Sequence, residues 1–315
     1  MLFGKYIAVV EFHDNARLPA YKGSTLRGGF GAALKMVMCG MMNKACDHCR
    51  LSDRCLYART FEPQGKTLPG ARVASPPHPY VIEPPLDGRD VFTPGDRLAF
   101  GLVLFGAANT YLPFFFHAVS AMGRRGIGKS ADGRATFSLV DVRDARGNSI
   151  YDPDIGQVVG ACTPVQLDPG SPGTSPDGSA EVTVRFETPL RLKYMNHLHA
   201  GLTFEVLTRA MLRRISQLFA FHGDGEPPLD YKGLVARARE VRTASSALQW
   251  RDWERYSNRQ QARMCLGGIA GSATYQDVPP EFQPLLAIAR LVHIGKQTTF
   301  GLGLVDYDWG PERGA

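Results

Sequence analysis

The stretch GRRGIGKS, Gly123–Ser130, decides how the rest of the chain is read. It meets the phosphate-cradle pattern G-x-x-x-x-G-K-[ST] at every required position, with Gly123, Gly128, Lys129 and Ser130 in place. In such a cradle a strand enters and a helix leaves, so that loop amides and the helix N-terminus hold the phosphate together. Here the neighbours run the other way. YLPFFFHAVSAM, upstream, has the period of a helix, and ATFSLVDVRD, downstream, alternates as a strand. That order speaks against a nucleoside-triphosphate site, and ATP is not expected as a ligand.

Working outward, KYIAVVEFH is a first strand and TLRGGFGAALKMVM a helix, with Ser24 placed to cap it. Its Leu26, Phe30, Leu34 and Val37 fall along one face. The strands PYVIE and RLAFGLVLFG precede the second helix, so the order is β-α-β-β-α-β. Residues 153–180 are rich in Gly, Pro, Ser and Asp and read as a linker or long exposed loop. Beyond them EVTVRFETPLRLK is a strand and HAGLTFEVLTRAMLRRISQLFAF a helix. LQWRDWERYSNRQQARMCLGG reads as a strand with IAGSATYQ as its hairpin partner. PEFQPLLAIARLV is a helix, and TTFGLGLVDYDW closes the chain as a strand. The same order therefore occurs twice, and HIGKQTTFGLG, 293–303, stands in the second half where GRRGIGKS stands in the first.

The expected fold is α+β: two tandem ferredoxin-like (RRM-like, βαββαβ) domains with a cysteine-rich metal knuckle inserted in the first. Their bounds are 1–160 and 181–315, joined through 161–180.

The chain has 315 residues, 44% of them hydrophobic and 21% charged, which suits a globular protein with ample core. No apolar run is long enough to span a bilayer, and the N-terminus turns polar too early for a signal peptide. A cytoplasmic protein without membrane contact is expected. Net charge is +6, and Arg outnumbers Lys 27 to 9, so most positive charge sits on planar forks suited to phosphate oxygens. A GC-rich genome would produce the same bias.

Four of the six cysteines fall in CGMMNKACDHCRLSDRC: Cys39, Cys46, Cys49 and Cys55. Cys46-x-x-Cys49 makes a tight turn, and Cys39 and Cys55 flank it. Four thiolates with no open position are the signature of structural zinc; an iron–sulfur cluster has the same requirement, and reduced free thiols are a third reading.

Positive charge gathers in Arg124, Arg125 and Lys129, in the Arg213–Arg214 pair, and in Arg255, Arg259 and Arg263. The last three recur every four residues and would share one face of a single strand or helix. Such a stripe beside Trp253 suits a phosphate backbone with a stacked base, although a solvated face gives the same pattern.

The motifs YKGSTLRGGFG, the cysteine cluster, PHPYVIEPP, GRRGIG, RRISQLFAFHG, DWERYSNRQ and HIGKQTTFGLG occur in that order. Together they resemble the endoribonucleases of the RAMP superfamily that process precursor CRISPR RNA, in the branch with a cysteine knuckle. The resemblance covers nearly the whole chain. It implies a metal-independent cut in the repeat: the ribose 2′-OH attacks the adjacent phosphate, leaving a 2′,3′-cyclic phosphate and a 5′-OH. CRISPR repeat RNA and guide RNA are the implied partners, with other CRISPR effector subunits as further ones. The alternative is a non-catalytic RNA-binding subunit of the same fold.

That chemistry needs a base, an acid and cations near the phosphorane. His222 and His293 each end a helix close to a glycine, and His48 lies in the knuckle. A capping or core role is the plain reading of each. His78 in PHPY suits a structural turn. Lys22 and Lys296 lie beside glycines where backbone can approach phosphate, and Tyr21 could donate a hydrogen bond. Arg27 completes the expected RNA contacts.

Overall fold

The computed structural model describes residues 1–40, 45–63, 76–160, 163–170, 179–192, 202–257, 262–265 and 267–312. It divides into two units, Met1–Gln166 and Leu167–Ala315.

The first unit runs β1 (Leu2–Phe12), β2 (Ala16–Arg17), α1 (Gly23–Met38), α2 (Leu56–Phe61), β3 (Tyr80–Glu83), β4 (Val91–Phe92) and β5 (Arg97–Phe105). It continues through α3 (Leu112–Arg125), β6 (Ile127–Ser130), β7 (Gly133–Ala135), β8 (Phe137–Arg143), β9 (Tyr151–Asp152), β10 (Gln157–Val158) and β11 (Val165–Gln166). The main sheet places β1 between β8 and β5, with β3 outside β5, and all three pairings are antiparallel. Alternation along β1 sends Tyr6, Ala8, Val10 and Phe12 into the core, where they meet Leu26, Phe30 and Leu34 of α1 and Phe115, Val119 and Met122 of α3. Val37 is half-buried at the rim. The Tyr6 hydroxyl donates to Asn109 Oδ1 at 3.0 Å, which satisfies the polar end of a buried ring.

α1 begins one residue before Ser24, with Lys22 at its N-cap and no side-chain cap, so Ser24 does not cap it. A second, smaller sheet has the order β4-β2-β6-β7. It carries the Gly123–Ser130 motif, which leaves α3 and enters β6, the order the sequence predicts.

The second unit runs β12 (Ala180–Leu190), α4 (Phe204–His222), α5 (Tyr231–Glu240), β13 (Arg242–Arg251), β14 (Glu254–Ser257), β15 (Ala262–Cys265), β16 (Gly268–Val278), α6 (Gln283–Val292) and β17 (Val305–Glu312). Its sheet has the order β13-β16-β12-β17, again antiparallel throughout. Val182, Val184 and Phe186 of β12 are buried, as are Leu207, Met211 and Ile215 of α4 and Leu285 and Ala289 of α6. The Thr203 side chain accepts from Val206 N and caps α4.

Two further expectations need correcting. The strand expected from Leu248 starts at Arg242, preceded by α5, and β14 and β15 form a separate hairpin between β13 and β16. Thr298–Phe300 forms a single helical turn, so the last strand begins only at Val305. No described helix is long and apolar enough to cross a membrane.

Candidate nucleic-acid interface

Arg124 and Arg125 are the last residues of α3, and both are exposed. Gly126 (φ 72°) and Gly128 (φ 64°) then turn the chain into the β6–β7 hairpin. A Cβ on Gly128 would sit 2.6 Å from the Arg17 carbonyl, so only glycine lets the hairpin lie against β2. Lys129 is thereby registered opposite Arg17, and Arg134 lies on the return strand.

Arg17, Arg124, Lys129 and Arg134 are exposed, and none has an ion-pair partner among the described residues. Arg125 reaches Met36 Sδ at 3.7 Å. Several arginines elsewhere are paired: Arg89 with Asp96, Arg97 with Glu11, Arg237 with Glu281, Arg242 with Asp277. An uncompensated group of like charges on one end of a unit attracts a polyanion.

His13, which the sequence reading did not single out, lies at this same end. Its amide donates to the Thr136 carbonyl at 3.0 Å, and its exposed ring places Nε2 2.8 Å from Ser138 Oγ. Next to it, Asp14 Oδ2 accepts from the Thr136 hydroxyl and amide at 2.7 and 2.9 Å. These bonds, hydroxyl first, hold the Asp14 carboxyl below the usual range. The alternation of β1 was the available signal, because a residue one step past the inward Phe12 points outward.

The start of α1 is less open. Lys22 has a fully buried side chain, its Nζ 3.5 Å from Asp87 Oδ1 and donating to the Ala20 carbonyl at 3.2 Å. The expected approach of this lysine to a phosphate is not available in this conformation. Tyr21 is half-buried, and burial pushes its hydroxyl pKa up. The Arg27 guanidinium lies 4.8 Å over the Phe61 ring.

In the second unit the structure overturns two expectations. Arg214 is buried and aims inward: its Nε donates to the Val292 and His293 carbonyls at 3.2 and 3.1 Å, and Nη2 to Val292 at 3.1 Å. It satisfies the carbonyls that end α6 and does not face RNA. His293 is fully buried, with Nδ1–H donating to the Leu302 carbonyl at 3.1 Å, so its ring is closed to substrate. Both residues brace the glycine-rich loop, as does the Thr188 hydroxyl, which donates to the Gly301 carbonyl at 2.8 Å. On that braced loop Lys296 is exposed, as is Arg213 on α4. His222 is half-buried at the end of α4.

Arg255 and Arg263 belong to two antiparallel strands, opposite Met264 and Tyr256, so no single element carries the expected ladder. Arg259 lies outside the described residues. His48 is exposed, with Nε2 3.7 Å from Asp47 Oδ2. His78 Nδ1 sits 2.9 Å from the Thr60 carbonyl, in the structural role its turn suggests.

Cys39, Cys46, Cys49 and Cys55 are free and partly exposed. Burial, then Glu62, pushes the Cys46 thiol up, with Cys55 and Cys39 adding to it. No group of three or more His, Cys, Asp or Glu among the described residues has metal-holding geometry. As placed, the four do not fit a closed tetrahedral shell.

Residues 1–162 match the family model AF_1859_N, an N-terminal domain, and residues 184–305 match the model of CRISPR-associated endoribonuclease Cas6. An uncharacterized protein of Archaeoglobus fulgidus is 26% identical over 293 residues, which cover 91% of each chain. A Cas6 product complex is similar in fold, with a TM-score of 0.58 at 16% identity, covering 97% of this chain and 100% of that one. The Cas6 of Thermus thermophilus gives a TM-score of 0.55 at 15% identity over 98% of both chains.

Proposed function

The chain belongs to the family that carries the N-terminal domain AF_1859_N and has a Cas6 endoribonuclease domain in its second unit, and from that premise we propose that it cuts precursor CRISPR RNA within the repeat. The observation that carries this reading is the unpaired cationic end of the first unit, formed by Arg17, Arg124, Lys129 and Arg134. Phosphate contacts of this kind position a nucleic acid and supply most of its affinity. Lys296 and Arg213 are exposed cations of the second unit that serve the same purpose.

The proposed reaction uses the substrate's own 2′-hydroxyl as nucleophile and needs no metal for the cut. Both units are read as ferredoxin-like, which the repeated strand order supports. A structural zinc on Cys39, Cys46, Cys49 and Cys55 remains a proposal from their spacing, and binding it would require the thiols to move together. CRISPR repeat RNA is the proposed partner, and other CRISPR effector subunits are proposed as later ones.

A second reading is favoured by the burial of Lys22 and His293, which removes two of the expected catalytic groups. It is an RNA-binding subunit of the same fold that does not cut. Incubation with repeat RNA in EDTA decides between them. One cut, ending in a cyclic phosphate, supports the enzyme; tight binding without a cut supports the subunit.

A further inference from the structure

We propose that His13 is the proton acceptor of the cleavage step, an assignment that rests on the endoribonuclease reading and adds a residue to it. Three of the other described histidines offer less. His293 is closed off by Leu302, and His78 is engaged with Thr60. His48 follows the C-terminal end of α1, whereas the basic hairpin packs near Gly29, where a Cβ would lie 3.2 Å from Ile127 Cγ2.

His13 instead stands at the foot of that hairpin. Its amide is bonded to Thr136, the residue that follows β7. Arg134 is two residues upstream of Thr136, and Arg17 is four residues downstream of His13. The backbone bond to Thr136 therefore joins the segment that bears the ring to the strand that bears Arg134, and Asp14, next in sequence, bonds the same Thr136 while Ser138 faces the ring.

The contact with Ser138 shows how the ring could act. With the proton on Nδ1, the Ser138 hydroxyl donates to the Nε2 lone pair across 2.8 Å. A ribose 2′-hydroxyl entering from solvent would donate to the same lone pair in its place. The 2′ oxygen then gives its proton to Nε2 as the O2′–P bond forms, and the P–O5′ bond breaks. Water protonates the departing 5′ oxygen, and the imidazolium returns its proton to the hydroxide left behind. Charge on the phosphorane is met by the unpaired guanidinium and ammonium groups of the hairpin.

The test is single-turnover cleavage in EDTA of repeat RNA from the CRISPR array of the same genome. Wild type is compared with His13→Ala, His13→Gln and Ser138→Ala, with RNA binding measured in parallel. Both His13 variants should cut about 10²- to 10⁴-fold more slowly while RNA affinity changes less than about threefold. Ser138→Ala should stay within about tenfold of wild type, and added imidazole should partly restore His13→Ala. A His13 variant that melts like wild type and cuts at the wild-type rate overturns the assignment. So does one that has lost RNA binding, since His13 would then be a contact residue. A wild type that binds the RNA and never cuts it overturns the endoribonuclease reading itself, and this assignment with it.

Discussion

Arg214 on α4 donates from Nε to the backbone carbonyl of His293 at the end of α6, across 3.1 Å. Burial pushes its guanidinium pKa down to about 9, yet at neutral pH the group stays charged and meets two helix-terminal carbonyls. An arginine that the sequence offers to RNA therefore fixes the loop that presents Lys296.

Arg214→Ala leaves the Val292 and His293 carbonyls buried without that donor and should cost about 3 kcal/mol in a urea melt. Arg214→Lys should recover only part of this, because an ammonium lacks the planar fork. A wild-type melt for the alanine variant would show that the loop does not depend on this bond.

Acid should find the Thr93–Asp96 turn. The Thr93 amide, the Arg89 guanidinium and the Thr93 hydroxyl, in that order, hold the Asp96 pKa at about 2, against an ordinary 3.8. A lowered carboxylate pKa contributes stability above the unfolded value and loses it as pH falls through the folded one. Asp96→Asn should therefore melt below wild type at neutral pH, and the two melting curves should converge as pH approaches about 2. A gap that does not change with pH would contradict this.

The cationic end of the first unit should show itself in salt dependence. Each phosphate contact to single-stranded RNA contributes about 0.7 to the slope of log K against log salt. Arg124→Ala with Lys129→Ala should lower the slope by about 1.4 and weaken binding alike across RNA sequences. An unchanged slope would place the RNA elsewhere.

Metal content tests the cysteine cluster. Protein purified without chelator should carry one zinc per chain if the four thiols ligate it, and Cys46→Ser should lose it. Iron with visible absorbance would identify a cluster instead, and metal-free protein with four titratable thiols would retire both readings. Stripping the metal should lower the melting temperature while leaving the RNA cut in place.

The repeated order of strands and helices is legible in the sequence because the core elements carry strong periods. Tyr6, Ala8, Val10 and Phe12 alternate, and Leu26, Phe30 and Leu34 follow a helix. α5 is not legible, since it buries only Leu234 and Ala238. β13 is exposed almost throughout and shows no alternation. The fate of Arg214 could have been read: it lies three residues after Met211 and four before Leu218, on the buried face of α4, while the neighbouring Arg213 points out. The burial of Lys22 and His293 depends on Asp87 and Leu302, partners that no local pattern names. The alternation of β1 marks His13 as outward, but its contacts with Thr136 and Ser138 form only when β1, β7 and β8 are brought together.

The most direct measurement is cleavage of repeat RNA carrying a single 2′-deoxy nucleotide on the 5′ side of the cut, in EDTA. The unmodified RNA should be cut once, giving a 2′,3′-cyclic phosphate, and the deoxy RNA should bind with the same affinity and stay whole. Cleavage of the deoxy RNA at the same bond would show that the 2′-oxygen is not the nucleophile and would contradict the proposed reaction.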